Sequence, residues 1–205
     1  MGRWRRAEVL QHMTFEVPVF DAIVLAGGEG RRLGGRDKAE LVVAHGRLLD
    51  IVLTACAAAQ RTIVVGPVRA TTRPVTWTRE EPPGGGPCAA LAAAVPLVTA
   101  PTCMLLAVDL PLLTADLVTQ LAASAPAVAV DGGGREQWLL SAWPSAALTG
   151  LPTEGSLGRA LGALPYGTLA VGAEAHDVDT EADLAQAATA DAPSSSTTPS
   201  TTRTE

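Results

Sequence analysis

The stretch Val19-Phe20-Asp21-Ala22-Ile23-Val24-Leu25-Ala26-Gly27-Gly28-Glu29-Gly30-Arg31-Arg32-Leu33-Gly34-Gly35-Arg36-Asp37-Lys38 sets a short apolar run directly against a loop of glycine and charge. The run Val19 to Leu25 has strand length and no helical period, so it reads as a first strand buried on both faces. Glycines at the carboxyl end of such a strand let backbone N–H groups converge on phosphate oxygens without a Cβ in the way. Arg31, Arg32, Arg36 and Lys38 give that loop a local positive charge, although the chain as a whole carries −6.

Outward from the loop, Leu48 to Ala59 reads as a helix leading to a strand at Thr62 to Val65, which makes one right-handed βαβ crossover. Further strands are expected at Val75 to Thr78, Met104 to Val108, Ala127 to Asp131 and Leu169 to Val171. Gln137 to Trp143 is expected to run antiparallel after the Gly132 to Gly134 turn. Helices are expected from near Cys88, over Ala115 to Ser124 with Thr114 as N-cap, over Leu157 to Leu164 and over Thr180 to Ala188. Alternation of this kind predicts an α/β fold with a mostly parallel sheet.

Residues 1–17 lack periodicity and read as a flexible leader, with Met13 as an alternative start. Residues 18–190 are expected to form one domain. Residues 191–205 are Ser, Thr and Pro-rich and are expected to be a disordered tail.

Aromatics are only 3% of the 205 residues, so the core has to be built from Ala, Val and Leu. The acidic balance and the lack of a basic stripe argue against nucleic acid as a partner. No apolar run reaches the roughly 18–20 residues of a membrane span, so no membrane partner is expected and cytoplasm is the default. Cys56, Cys88 and Cys103 have no metal-ligand spacing and read as small buried side chains. His12, His45 and His176 are scattered and read as surface or loop residues.

Two phosphate fingerprints fail on the loop. In a Walker A loop Lys-Ser/Thr would follow the last glycine at once, but Arg36 and Asp37 intervene and Ala39 follows Lys38. In a dinucleotide loop Leu33 would have to be a glycine. A third pattern fits. Leu-Ala-Gly-Gly, two variable residues, Arg-Arg, an apolar residue, Gly-Gly, one variable residue and Asp-Lys resembles the signature of the molybdenum cofactor guanylyltransferases, a MobA-like nucleotidyltransferase family. The resemblance spans roughly Asp21 to Ala188 and implies a three-layer Rossmann-like fold. It also implies transfer of GMP from GTP to molybdopterin, with Mg²⁺ as cofactor and pyrophosphate released.

Carried onto this sequence, the resemblance implies a nucleotide site of Leu25, Ala26, Gly27, Gly28, Gly30, Lys38, Gly66, Glu81 and Asp109. Lys38, Arg32 and Asp109 are the implied catalytic residues. Glu81 lies in the acidic-to-Gly-Pro segment Glu80 to Pro87, and Gly66 stands where some relatives have asparagine, so any contact there would be through backbone. Asp109 ends a strand in Val108-Asp109-Leu110-Pro111 and is the implied Mg²⁺ ligand. Asp179 lies in Asp177-Val178-Asp179-Thr180-Glu181, where aspartates replace the family's asparagines and Glu181 replaces its proline; it either joins the metal site or caps the next helix. Gly134 to Trp138 resembles the place that admits the acceptor, although Trp138 and Trp143 also read as core.

The implied partners are GTP and molybdopterin, with contact to a molybdoenzyme or a cofactor chaperone. Relatives that select cytidine carry Leu-Ala-Ala-Gly, so Gly27 leans toward guanine. Transfer of CMP or another nucleotide to a related acceptor, and a nucleotide-binding regulator without catalysis, stay open as alternatives.

Overall fold

The structure is a computed structural model and describes residues 18–27 and 33–189. The leader, the tail and four loop residues of interest, Gly28, Gly30, Arg31 and Arg32, lie outside the described residues.

Fourteen α-helices and β-strands follow one another along the described chain, with short 3-10 turns between some of them. They are β1 (Phe20–Leu25), β2 (Val42–Val43), β3 (Gly46–Arg47), α1 (Leu48–Ala55), β4 (Arg61–Val65), β5 (Thr76–Thr78) and α2 (Gly86–Ala94). Then come β6 (Thr102–Ala107), α3 (Ala115–Ala123), β7 (Ala127–Val130), β8 (Glu136–Pro144), α4 (Leu157–Leu161), β9 (Gly167–Ala170) and α5 (Glu181–Ala187). Seven strands make one sheet in the order β5-β4-β1-β6-β8-β7-β9. Every neighbouring pair is parallel except those of β8, which runs antiparallel to both β6 and β7. The α/β class and the antiparallel reading of residues 137–143 both stand.

Alternation along the strands sorts the helices into layers. Phe20, Ala22 and Val24 of β1 and Met104 and Leu106 of β6 pack with Leu49, Val52 and Leu53 of α1 and Val118 and Leu121 of α3. Ile23, Ile63, Val65 and Leu105 point to the other face and meet Cys88 and Leu91 of α2 and Leu161 of α4. Strands buried on both faces require this double covering, because each successive side chain changes sides. The small side chains of α2 (Ala89, Ala90, Ala92, Ala93) let a helix lie close to the sheet, so few aromatics are needed.

Several boundaries differ from expectation. The helix expected to reach Ala59 ends at Ala55, and the chain turns through the bonds Ala57 N–H to Thr54 O and Ala59 N–H to Cys56 O. The turn delivers Gln60 to its bond with Phe20 O at the sheet edge. Similarly, α4 stops at Leu161, because Gly162 is a poor helix former. The β2–β3 hairpin was not expected; two strands of two residues are too short to leave a period in the sequence. Thr114 is the N-cap of α3 as expected, its hydroxyl accepting from Leu117 N–H at 3.2 Å.

Candidate active site at the carboxyl edge of the sheet

The ends of β1, β4 and β6 lie flush. Ala26 N–H donates to Val65 O at 2.9 Å and Val108 N–H to Leu25 O at 3.2 Å. This brings Gly27, Gly66 and Asp109 to one edge although they are far apart in the chain. Gly66 backs directly onto the loop: at φ +151°, a Cβ on it would stand 2.9 Å from Ala26 O and 3.1 Å from Gly27 N. Only glycine permits that approach. Its N–H is already donated to Thr78 O at 3.0 Å, and Gly66 is not among the residues that line the adjoining cavity. Gly66 therefore shapes the site from behind.

Leu33 is buried against Leu41, Val43, Leu48, Val178 and Ala187. A glycine there would give up this anchor, so the loop departs from the dinucleotide pattern for a packing reason. Arg36 continues the attachment: its Nε donates to Leu33 O at 3.2 Å and its Nη2 to Glu181 Oε1. Glu181, at the position of the family's proline, thus ties the loop to the start of α5.

Lys38 reaches the centre of the site. Its ammonium donates to Asp109 Oδ2 at 2.7 Å and also to Asp179 Oδ1. Burial works against the ammonium, but the charge of Asp109 and the hydrogen bonds to Asp109 and Asp179 outweigh it and hold Lys38 above the usual lysine range. Burial pushes the Asp109 carboxyl up, against the pull of Lys38, and Asp177 adds a like charge. Both shifts coexist because burial penalises either charge, while lysine has two acceptors and Asp109 one cationic donor among the described residues.

The Asp179 alternatives separate here. The N-cap of α5 is Thr180, whose hydroxyl accepts from Asp183 N–H at 3.2 Å. The Asp183 carboxylate returns the favour to Thr180 N–H at 2.7 Å. The Asp179 carboxylate is turned to Lys38 instead. Among the described residues no group of three His, Cys, Asp or Glu gathers for a metal. Two carboxylates converging on one cation do suit Mg²⁺, which takes one or two carboxylates and fills its remaining positions with water and phosphate oxygens.

A cavity of about 480 Å³ opens beside this cluster. Leu25, Gly27, Val65, Ala107 and Leu139 give it an apolar wall; Lys38 and Asp109 stand at its charged end, and Gly84, Gly86 and Pro87 bring the start of α2 to it. The acid that faces the cavity is Glu80, whose Oε1 accepts from Gly84 N–H at 3.0 Å. Glu81 is exposed and is not among the lining residues. Two adjacent glutamates before a turn offer no period to decide between them, so sequence could not assign this side chain. Ala26 is buried beneath the loop and does not line the cavity.

The tryptophans belong to packing. Trp143 is fully buried, and Trp138 meets Tyr166 edge-on with centroids 5.4 Å apart. The Trp138 ring also lies over Gly158 and Gly162 of the α4 region, leaving Leu139 as the β8 residue on the cavity. All three cysteines are buried, and His45 and His176 are exposed. No helix of the described residues is long and apolar enough to cross a membrane.

Residues 22–193 match the family described as the MobA-like NTP transferase domain. No curated protein matches the chain. Among solved structures, molybdopterin-guanine dinucleotide biosynthesis protein A from Archaeoglobus fulgidus aligns over 82% of this chain and 96% of its own, at 18% identity and a TM-score of 0.57. A nucleotidyl transferase from Methanothermobacter aligns over 82% and 95%, at 17% identity and a TM-score of 0.64. The 2-C-methyl-D-erythritol 4-phosphate cytidylyltransferase of Thermus thermophilus aligns over 81% and 96%, at 20% identity and a TM-score of 0.56. At these identities the likeness is one of fold.

Proposed function

The chain belongs to the family of MobA-like NTP transferase domains, a nucleotidyltransferase family, and from that premise we propose that it transfers GMP from GTP to molybdopterin with release of pyrophosphate. The observation that carries this reading is the meeting of Lys38 with Asp109 and Asp179 at the charged end of the cavity beside Gly27. A cation that has its own carboxylate partners at a sheet edge is suited to a ligand that brings both phosphate and metal.

In this reaction an oxygen of the acceptor phosphate attacks the α-phosphorus of the triphosphate. The new P–O bond forms as the bond from the α-phosphorus to the bridging oxygen breaks, and pyrophosphate carries away that electron pair. The acceptor phosphate is already ionised near neutral pH, so no general base is required. The work left to the protein is positioning and charge. Lys38 and Arg32 would lie against the triphosphate, and the N–H groups of Gly27, Gly28 and Gly30 would hold its oxygens. Asp109 and Asp179 would hold Mg²⁺, which supplies charge neutralisation at the phosphate oxygens when bound.

Guanine is favoured by the carboxylate of Glu80 on the cavity wall. Guanine presents N1–H and N2–H₂ side by side, and a carboxylate can accept from both, whereas cytosine offers only its N4 donors beside an acceptor. The bond from Gly84 N–H keeps the side chain in place. The Leu-Ala-Gly-Gly form of the loop, resembling the guanine-selecting relatives, agrees.

Pyrophosphate release by the purified protein, measured with GTP or CTP and with or without molybdopterin, tests the reading. Release is expected only when GTP and molybdopterin are both present. Equal release with and without acceptor would sink the transfer, and preference for CTP would replace guanine by cytosine.

A further inference from the structure

Lys38 is carried on a single 3-10 turn, Lys38–Glu40, between an irregular loop and the two-residue strand β2. A turn of three residues has little stability of its own. An ammonium that has to meet two carboxylates therefore depends on whatever holds that turn from outside.

What holds it is the connection after β4. The guanidinium of Arg69 donates through Nε to Asp37 Oδ2 at 2.7 Å and through Nη2 to Asp37 Oδ1 at 2.9 Å. Its remaining nitrogen donates to Pro67 O at 2.9 Å, and its side chain is only 9% exposed. Asp37 is the N-cap of the turn, its Oδ1 accepting from Ala39 N–H at 3.1 Å. At the far end of the turn Arg47 holds Glu40 at 3.0 Å and donates to Ala70 O at 2.7 Å. Residues 66–70 thus back the loop at Gly27 through Gly66 and brace the Lys38 turn through Arg69 and Ala70.

We infer that Arg69 is a positioning residue for the transfer: by clamping both oxygens of Asp37 it fixes the turn that aims Lys38 at Asp109, Asp179 and the phosphates. The inference rests on Lys38 serving the triphosphate as proposed above. Arg69 itself touches no reacting group. Its two parallel bonds to one carboxylate need a planar fork, which a lysine does not have.

Magnitudes separate this role from a merely structural one. Asp37 stays open to solvent although Arg69 is largely covered, so the pair contributes only modestly to stability. A catalytic group displaced by about 1 Å can lose on the order of 100-fold in rate. Loss of Arg69 should therefore appear in turnover far more than in melting temperature, and only while Lys38 is there to be misplaced.

The test compares Arg69→Gln, Arg69→Lys, Lys38→Met and the double variant Lys38→Met with Arg69→Gln. The readouts are kcat and KM for GTP, the affinity of a fluorescent GTP analogue with Mg²⁺, and Tm. Arg69→Gln is expected to lower kcat by roughly 10–100-fold, with Arg69→Lys recovering little of it. In the Lys38→Met background Arg69→Gln should cost nothing further in rate or analogue affinity. An equal loss in both backgrounds, or a loss that tracks Tm, would overturn the inference. Asp37→Asn, which keeps one acceptor for the cap, replaces Arg69→Gln if that variant does not fold, and the same pattern is expected. If the wild type binds the analogue but releases no pyrophosphate, the transfer reading fails, and the analogue affinities still decide the clamp. If the wild type does not bind the analogue, both fail.

Discussion

Residues 33–40 and residues 177–187 deliver Lys38 and Asp179 to the same point, and they are held in opposite ways. The late segment caps its own helix: Asp183 accepts from Asp179 N–H, Thr180 N–H and the Thr180 hydroxyl, all within four residues, beside its packing on Leu33 and the bond from Val178 N–H to Asp109 O. The early segment borrows its order, since Asp37 is gripped by Arg69 from 32 residues away, and Arg36 leans on Glu181. A glycine-rich loop keeps few side chains of its own with which to cap itself. The difference teaches that substitutions near Asp179 should act locally, whereas those that disturb the Lys38 turn can lie far from it.

The largest effect is expected where the two segments meet. Asp109→Ala should lower transfer by about 1000-fold or more, because it removes the acceptor that both Lys38 and the metal would use. Its Tm should change little, because Lys38 keeps Asp179 as a partner and is not left as an unpaired charge, while the cost of desolvating Asp109 is removed. Steady-state kinetics beside a thermal melt measure both, and turnover within tenfold of wild type would remove Asp109 from the site.

Next in size is Gly66→Ala, which tests the borrowed order of the early segment. The added Cβ meets Ala26 O at 2.9 Å in a backbone conformation that alanine rarely adopts. The cost is expected to be about 2–3 kcal/mol, or a Tm lower by about 5–10 °C, together with weakened nucleotide binding. An unchanged Tm would mean that the loop can retreat freely and is not held from behind.

The smallest effect belongs to the self-capped segment. Thr180→Ala should cost about 1 kcal/mol, seen as a Tm lower by about 2–4 °C, with transfer nearly intact. The hydrogen bond from the Thr180 hydroxyl, and then those from backbone N–H groups, hold the Asp183 carboxyl below the usual carboxylate range. A depressed folded pKa contributes stability that is complete above the unfolded value near pH 4 and lost as pH falls through the folded value. The gap in Tm between wild type and Thr180→Ala should thus be constant from pH 6 to 8 and narrow below about pH 4. A gap that also narrows between pH 6 and 8 would point to another titrating group.

Much of the fold was legible because it rests on local rules. The buried runs ending at Leu25, Val65 and Val108 showed as strands, although β6 itself stops at Ala107, Thr114 showed as a cap, and the glycines after Leu25 marked the carboxyl edge of the sheet. Asp109 could be singled out because it directly follows such a run. The antiparallel strand at residues 136–144 was legible from its turn, but its insertion between β6 and β7 was not. The placement of Glu80 rather than Glu81 on the cavity wall and the clamp of Arg69 on Asp37 left no trace in spacing.

By itself, then, the amino-acid sequence determined which segments form the seven-stranded sheet, approximately where each ends, and that a cationic glycine loop follows the first of them. These follow from side-chain period and from caps within a few residues. Only the tertiary structure decided that Lys38 meets Asp109 and Asp179, 71 and 141 residues further on, that Gly66 backs the loop, and that residues 67–70 brace the lysine. Such meetings depend on the order of strands in the sheet, a property that no local pattern encodes.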